Sequence, residues 1–127
     1  MNEEVQSSLR QLDQAVHEGA DWDDQEGIRV SVLVASQAKA FLRELALASS
    51  ASNRAWEPPA VSATPNGDIH FSWNVNGSRG SFTVDAATLT FTCCTKTQGK
   101  ASCREVLSRE KAVRNALEVW DSGAEEE

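Results

Sequence analysis

Three cysteines, two histidines and one acidic cluster are the side chains of this 127-residue chain with the chemistry to hold a metal or to make and break bonds. Cys93, Cys94 and Cys103, with His70 on a neighbouring segment, would supply four donors of the kind a tetrahedral metal takes. Adjacent residues of a strand point to opposite faces, however, so Cys93 and Cys94 cannot both reach one ion without a bulge, and no C-x-x-C spacing is present. No metal site is therefore expected; Cys93 reads as a small core residue and Cys94 as a surface thiol. Nucleophilic catalysis needs a Ser or Cys beside a His that a third group orients. His17 near the end of a helix and His70 on the polar face of a strand are the only bases, and no G-x-S-x-G elbow accompanies them. Gly77 and Gly80 lead into strand rather than helix, which is not how a phosphate-cradling loop is built.

The densest charge is Asp21, Asp23, Asp24 and Glu26 around Trp22. A calcium loop starting at Asp21 would need a glutamate at its twelfth position, where Val32 stands. What remains is a solvated acidic loop, anchored by Trp22, of a kind that can meet a basic protein. The sequence thus assigns no catalytic residue, metal ligand or cofactor. Its candidate partner contacts are Asp21, Trp22, Asp23, Asp24, Glu26 and Trp56; of the four tryptophans, Trp56 is the one expected to stay partly exposed, just before Pro58 and Pro59.

These residues need a scaffold, and the hydrophobic periods outline one. Val5, Leu9, Leu12 and Val16 fall on one stripe of a helix from Asn2 to about Glu18, with Gly19 as its stop. A second helix is predicted from about Val32 to Ala48, capped by Ser31, with Val34, Ala38, Phe41, Leu42 and Leu45 on its apolar side. The period then changes to two. Ala60 to Thr64 can enter a sheet at an edge, and Pro65-Asn66-Gly67-Asp68 is a turn signature. Ile69, Phe71, Trp73 and Val75 alternate with polar residues, and Asn76-Gly77 is a strong hairpin signal. A return strand from Ser78 to Asp85 and a third from Thr88 to Thr95 complete a meander. Ser102 and Glu105 have capping-box spacing before a last helix, with Val106, Val113, Leu117 and Trp120 as its stripe and Asp121 to Glu127 as a mobile acidic tail. The expected architecture is one α+β domain over residues 1–127: two N-terminal helices, a three- to four-stranded antiparallel meander and one C-terminal helix. Residues 1–20 are expected as a separable helix through which a homodimer could form.

Twelve Lys and Arg against nineteen Asp and Glu give a net charge of −7, which disfavours binding to duplex DNA or to an anionic membrane surface. No apolar run is long enough to span a membrane, the first twenty residues lack the features of a signal peptide, and an odd number of cysteines suits a reducing compartment; a cytoplasmic protein is expected.

The order Asp21-Trp22-Asp23-Asp24, then Pro58-Pro59-Ala60-Val61, then Thr64-Pro65-Asn66-Gly67-Asp68-Ile69-His70-Phe71-Ser72-Trp73 resembles a widespread group of small, functionally uncharacterised bacterial proteins. These pair a Gly-Trp-Asp-Gly-like loop with a Pro-Asp-Gly-Gly hairpin ending in Glu-Trp; here both loop glycines are aspartates and Ser72 replaces the glutamate. The resemblance implies a bacterial or phage-related protein sometimes encoded beside toxin-like or mobile-element genes, and implies no catalytic residues. The function expected is that of a non-enzymatic acidic accessory module, antitoxin-like or part of a defence system, that contacts a larger protein with a basic surface. Two alternatives stand beside it: a nucleic-acid mimic that inhibits a DNA- or RNA-binding protein, and a small metal-dependent hydrolase using Asp21, Asp23 or His70.

Overall fold

The computed structural model describes residues 3–20, 30–75, 77–97, 100–106 and 108–125. Three helices and five strands follow in the order α1 (Glu3–Ala20), α2 (Val32–Ala51), β1 (Ala60–Ala63), β2 (Ile69–Val75), β3 (Ser78–Val84), β4 (Phe91–Thr97), β5 (Lys100–Val106) and α3 (Arg109–Glu125). The strands make one antiparallel sheet in sequence order, β1-β2-β3-β4-β5, so each is joined to its neighbour by a short reversal.

The reversals follow from their residues. Gly67 and Gly77 sit at φ 86° and 89°, conformations that glycine adopts without steric cost. The Asp68 carboxylate accepts from Ala86 N at 2.7 Å, tying the β1–β2 turn to the β3–β4 turn. In that second turn the Asp85 carboxylate accepts from the N–H groups of Ala87 and Thr88, a local bond that lets Asp replace a backbone partner. At the start of α2 the Ser31 hydroxyl accepts from Val34 N at 3.1 Å, satisfying one of the free donors of the first turn.

One face of the sheet is apolar and lies under the helices. Val34, Ala38, Phe41, Leu42 and Leu45 of α2 are all fully buried against Ile69, Phe71, Phe82, Val84 and Phe91. Phe41 is the hub, with ring centroids 5.3 Å from Phe71, 5.9 Å from Phe82 and 5.1 Å from Phe91. α3 approaches β3 so closely that a Cβ on Gly80 would come within 2.9 Å of Phe82 and 3.1 Å of Val119. Glycine is used there for room. α1 packs on the core: Val5, Leu12 and Ala15 are buried, and its apolar stripe meets α2 and β1.

One expectation about the C-terminal part is corrected. Ser102 and Glu105 do not cap a helix; both are exposed residues of β5, and the helix begins at Arg109 with the Ser108 hydroxyl accepting from Lys111 N. The fifth strand carries no sequence period, because Lys100 to Glu105 are all exposed and only Val106 marks a buried face. The last helix runs through Glu125.

Candidate binding surface

The far face of the sheet is covered by none of the described helices. Following the register outward from β1, it presents Ala60 and Ser62, then His70, Ser72 and Asn74, then Arg79, Ser81 and Thr83, then Thr92, Cys94 and Lys96, and at the edge Ala101, Cys103 and Glu105. A shallow depression of about 670 Å³ opens on this face over Pro58, Ala60, Ser72, Arg79, Ser81 and Lys96. It is a hydroxyl-rich surface bearing two cations. Arg79 and Lys96 face each other directly across β3 and β4, an arrangement that like charges disfavour, and neither pairs with an acid among the described residues.

His70, near the start of β2 on this face, has both ring nitrogens engaged. Nδ1 is 3.0 Å from the Thr83 hydroxyl and Nε2 is 3.0 Å from the Ser81 hydroxyl. The Ser81–His70 spacing is that of a nucleophile and its base, yet the position that should carry a carboxylate is occupied by Thr83, a neutral hydroxyl that cannot stabilise an imidazolium as an acid does. The backbone donors around Ser81 are committed to the β2–β3 and β3–β4 ladders, so no pair of free N–H groups faces it. The three side chains brace two strands.

The cysteines divide differently from the expectation. Cys94 is not a free thiol: it is joined to Cys103 by a disulfide across β4 and β5, where the register sets the two residues opposite each other with Cα atoms 4.0 Å apart. Cys93, on the opposite face, is buried against α3, as read from the strand alternation; burial pushes its thiol pKa up, partly offset by a hydrogen bond with Asn115. The disulfide removes the cysteine argument for a reducing compartment. Its signal was present in the sequence only as nine intervening steps, which suit a hairpin crosslink once β5 is recognised. Among the described residues no three His, Cys, Asp or Glu side chains converge in a way that could hold a metal ion, and no helix is long and apolar enough to cross a membrane.

Of the predicted contact residues, Asp21, Trp22, Asp23, Asp24 and Glu26 lie outside the described residues. Trp56 does not have the exposure expected of it. It is 6% exposed, its indole N–H donates to the buried Ser8 hydroxyl at 3.1 Å, and its ring meets Trp120 edge-on at 5.8 Å. The two prolines that follow stop the chain from forming regular structure but do not hold the ring in water; a hydrogen-bond partner on α1 draws it inward. Nearby, Trp73 donates to Glu57 O at 2.6 Å, and Arg54 grips Asp121 of α3 with two bonds of 2.8 and 2.6 Å. That grip holds the Asp121 carboxyl below the usual range, chiefly through the hydrogen bond from Arg54.

Compared with protein-family models, with curated proteins and with solved structures, the chain gives no match in any of the three.

Proposed function

We propose that this chain is a non-enzymatic protein-binding module, an accessory subunit of antitoxin or bacterial defence type, and that its larger partner seats on the uncovered face of the sheet. The observation that carries this reading is the five-stranded sheet itself: one face is used up by the helices, while the other is left as a broad, shallow concavity in which Ser72, Ser81, Arg79 and Lys96 stand among the apolar Pro58 and Ala60. A shallow open face suits a macromolecular surface better than a small substrate, which binds in enclosed clefts. The expected partner was basic, on the strength of the net charge and of residues 21–26. Arg79 and Lys96, unpaired with acids among the described residues and both lining the depression, favour an acidic contact there instead and weigh against mimicry of a nucleic acid by this surface.

The test is affinity capture from the native host with the wild-type chain and with Ser72→Trp, which fills the concavity from a half-exposed position. The wild type should retain a stoichiometric partner and the folded variant should lose it. A wild type that retains none, or a partner held equally by both, overturns the reading.

A further inference from the structure

We propose that the free edge of β5 accepts an extended acidic peptide segment of the partner as a sixth strand. The inference rests on the binding-module reading and names the chemistry of the contact. β5 is a seven-residue strand at the end of the sheet, so alternate N–H and C=O groups along it face outward with no strand partner among the described residues. An edge of that length with no proline is a template for strand addition, and the Cys94–Cys103 crosslink keeps it registered on β4 although it buries only Val106.

The charges at this edge choose the occupant. Lys100, Ser102 and Arg104 alternate along one face of β5. On that side Arg104 borders a cleft of about 270 Å³ that it shares with Lys111, Arg114 and Asn115 of α3. On the other side the exposed Lys96 stands opposite the small Ala101. Five cations, Lys96, Lys100, Arg104, Lys111 and Arg114, stand against three acids: Glu105 on the Lys96 face, Glu110 3.8 Å from Arg114, and Glu118 lining the Arg104 cleft. In a chain of net charge −7 this is a local concentration of cations, and neither Lys96, Lys100 nor Arg104 has an ion-pair partner among the described residues.

A second copy of the chain is a poor occupant. Antiparallel pairing of two β5 strands about Ser102 would set Lys100 against Arg104, and pairing about Cys103 would set Lys100 against Val106. Single-stranded nucleic acid is disfavoured as well, because such sites stack bases on exposed aromatics, whereas Phe41, Phe71, Phe82, Phe91, Trp56, Trp73 and Trp120 are all buried. A peptide with acidic side chains at alternate positions meets the unpaired backbone and the cations together.

The experiment is an amide NMR titration of the intact, disulfide-bonded chain. The probe is a blocked peptide of alternating glutamate and threonine, about eight residues long to match a strand. The expected result is perturbation and slowed exchange of the β5 amides, with affinity lowered about tenfold or more in Lys100→Glu/Arg104→Glu and also lowered in Lys100→Ala/Arg104→Ala. Lack of binding at millimolar peptide, equal binding of a lysine-threonine peptide, or perturbation confined to other elements overturns the proposal. So does preferential binding of a thymidine oligonucleotide. If the host partner lost by Ser72→Trp is still held by Lys100→Glu/Arg104→Glu, the module reading stands and the β5 inference falls.

Discussion

β2 and β5 are strands of equal length in the same antiparallel sheet, and they are held by different forces. β2 has a neighbour on each side, and it buries Ile69, Phe71, Trp73 and Val75 beneath Phe41 and α3. β5 has one neighbour, buries Val106 alone, and is fastened by backbone bonds and a covalent crosslink. The contrast separates two jobs. Apolar burial makes β2 part of the cooperative core, because each large side chain taken out of water contributes roughly 1.5–3 kcal/mol. A disulfide keeps β5 in place without burying it, so its faces and outer edge stay available for contact.

The largest expected effect breaks the comparison from the β2 side. Phe41→Ala empties the centre of the aromatic cluster and should lower the urea-unfolding free energy by about 3–5 kcal/mol, enough to unfold a marginal domain. Backbone exchange would rise throughout β2 and β3. If exchange rose only in β5, Phe41 would not be the hub of the packing.

The second effect sharpens the comparison from the β5 side. Cys94→Ser/Cys103→Ser, or reduction of the wild type, opens a short loop closed over nine residues of separation and should cost at most about 2.5 kcal/mol in the chain-entropy account. Its signature is local: amide protection lost in β5 and the adjoining side of β4, with β2 protected as before until global unfolding. Equal loss of protection in β2 would show that the edge and the core are one cooperative unit and would remove the distinction.

The same contrast explains which features could be read in the sequence. Elements that bury one face wrote their period into the chain: the stripe of α2 through Phe41 and Leu45, the alternation of β2, and the burial of Cys93 against Cys94 on the opposite face. Glycine and asparagine marked the turns because positive φ restricts residue type at Gly67 and Gly77. β5 wrote no period, since exposed residues on both faces leave composition unconstrained, and the disulfide depended on seeing β5 first. Ser102 and Glu105 had the spacing of a cap, yet the same two residues satisfy a strand edge; spacing alone cannot tell which hydrogen bonds are made. Trp56 failed for a related reason. Its neighbours in sequence predict exposure, while the partner that buries it, Ser8, is 48 residues away. The candidate surface was legible only in pieces, as the polar residues between the buried ones, because the setting of its cations against each other arises from register.

The smallest effect concerns a polar tie that neither strand provides. Arg54, in the segment leading to β1, holds Asp121 of α3 by two hydrogen bonds, with the Asp121 side chain 47% exposed. Because the carboxyl titrates below its ordinary range in the folded chain, the unfolded chain binds the proton more readily, and the contact stabilises the fold above the ordinary aspartate value of about 3.9. That contribution is lost as the pH falls through the lower folded value. At neutral pH, Asp121→Asn should reduce the urea midpoint by on the order of 0.3 M, as expected of a half-exposed pair screened by solvent. The gap between variant and wild type should be flat through the neutral range and close on acidification below the ordinary aspartate value. Added salt should narrow it at neutral pH, whereas the Phe41→Ala deficit should not respond in that way, since burial of an aromatic ring is not screened by ions. A gap that widened on acidification would mean that Asp121 is neutral in the folded chain, contrary to its bidentate contact with Arg54.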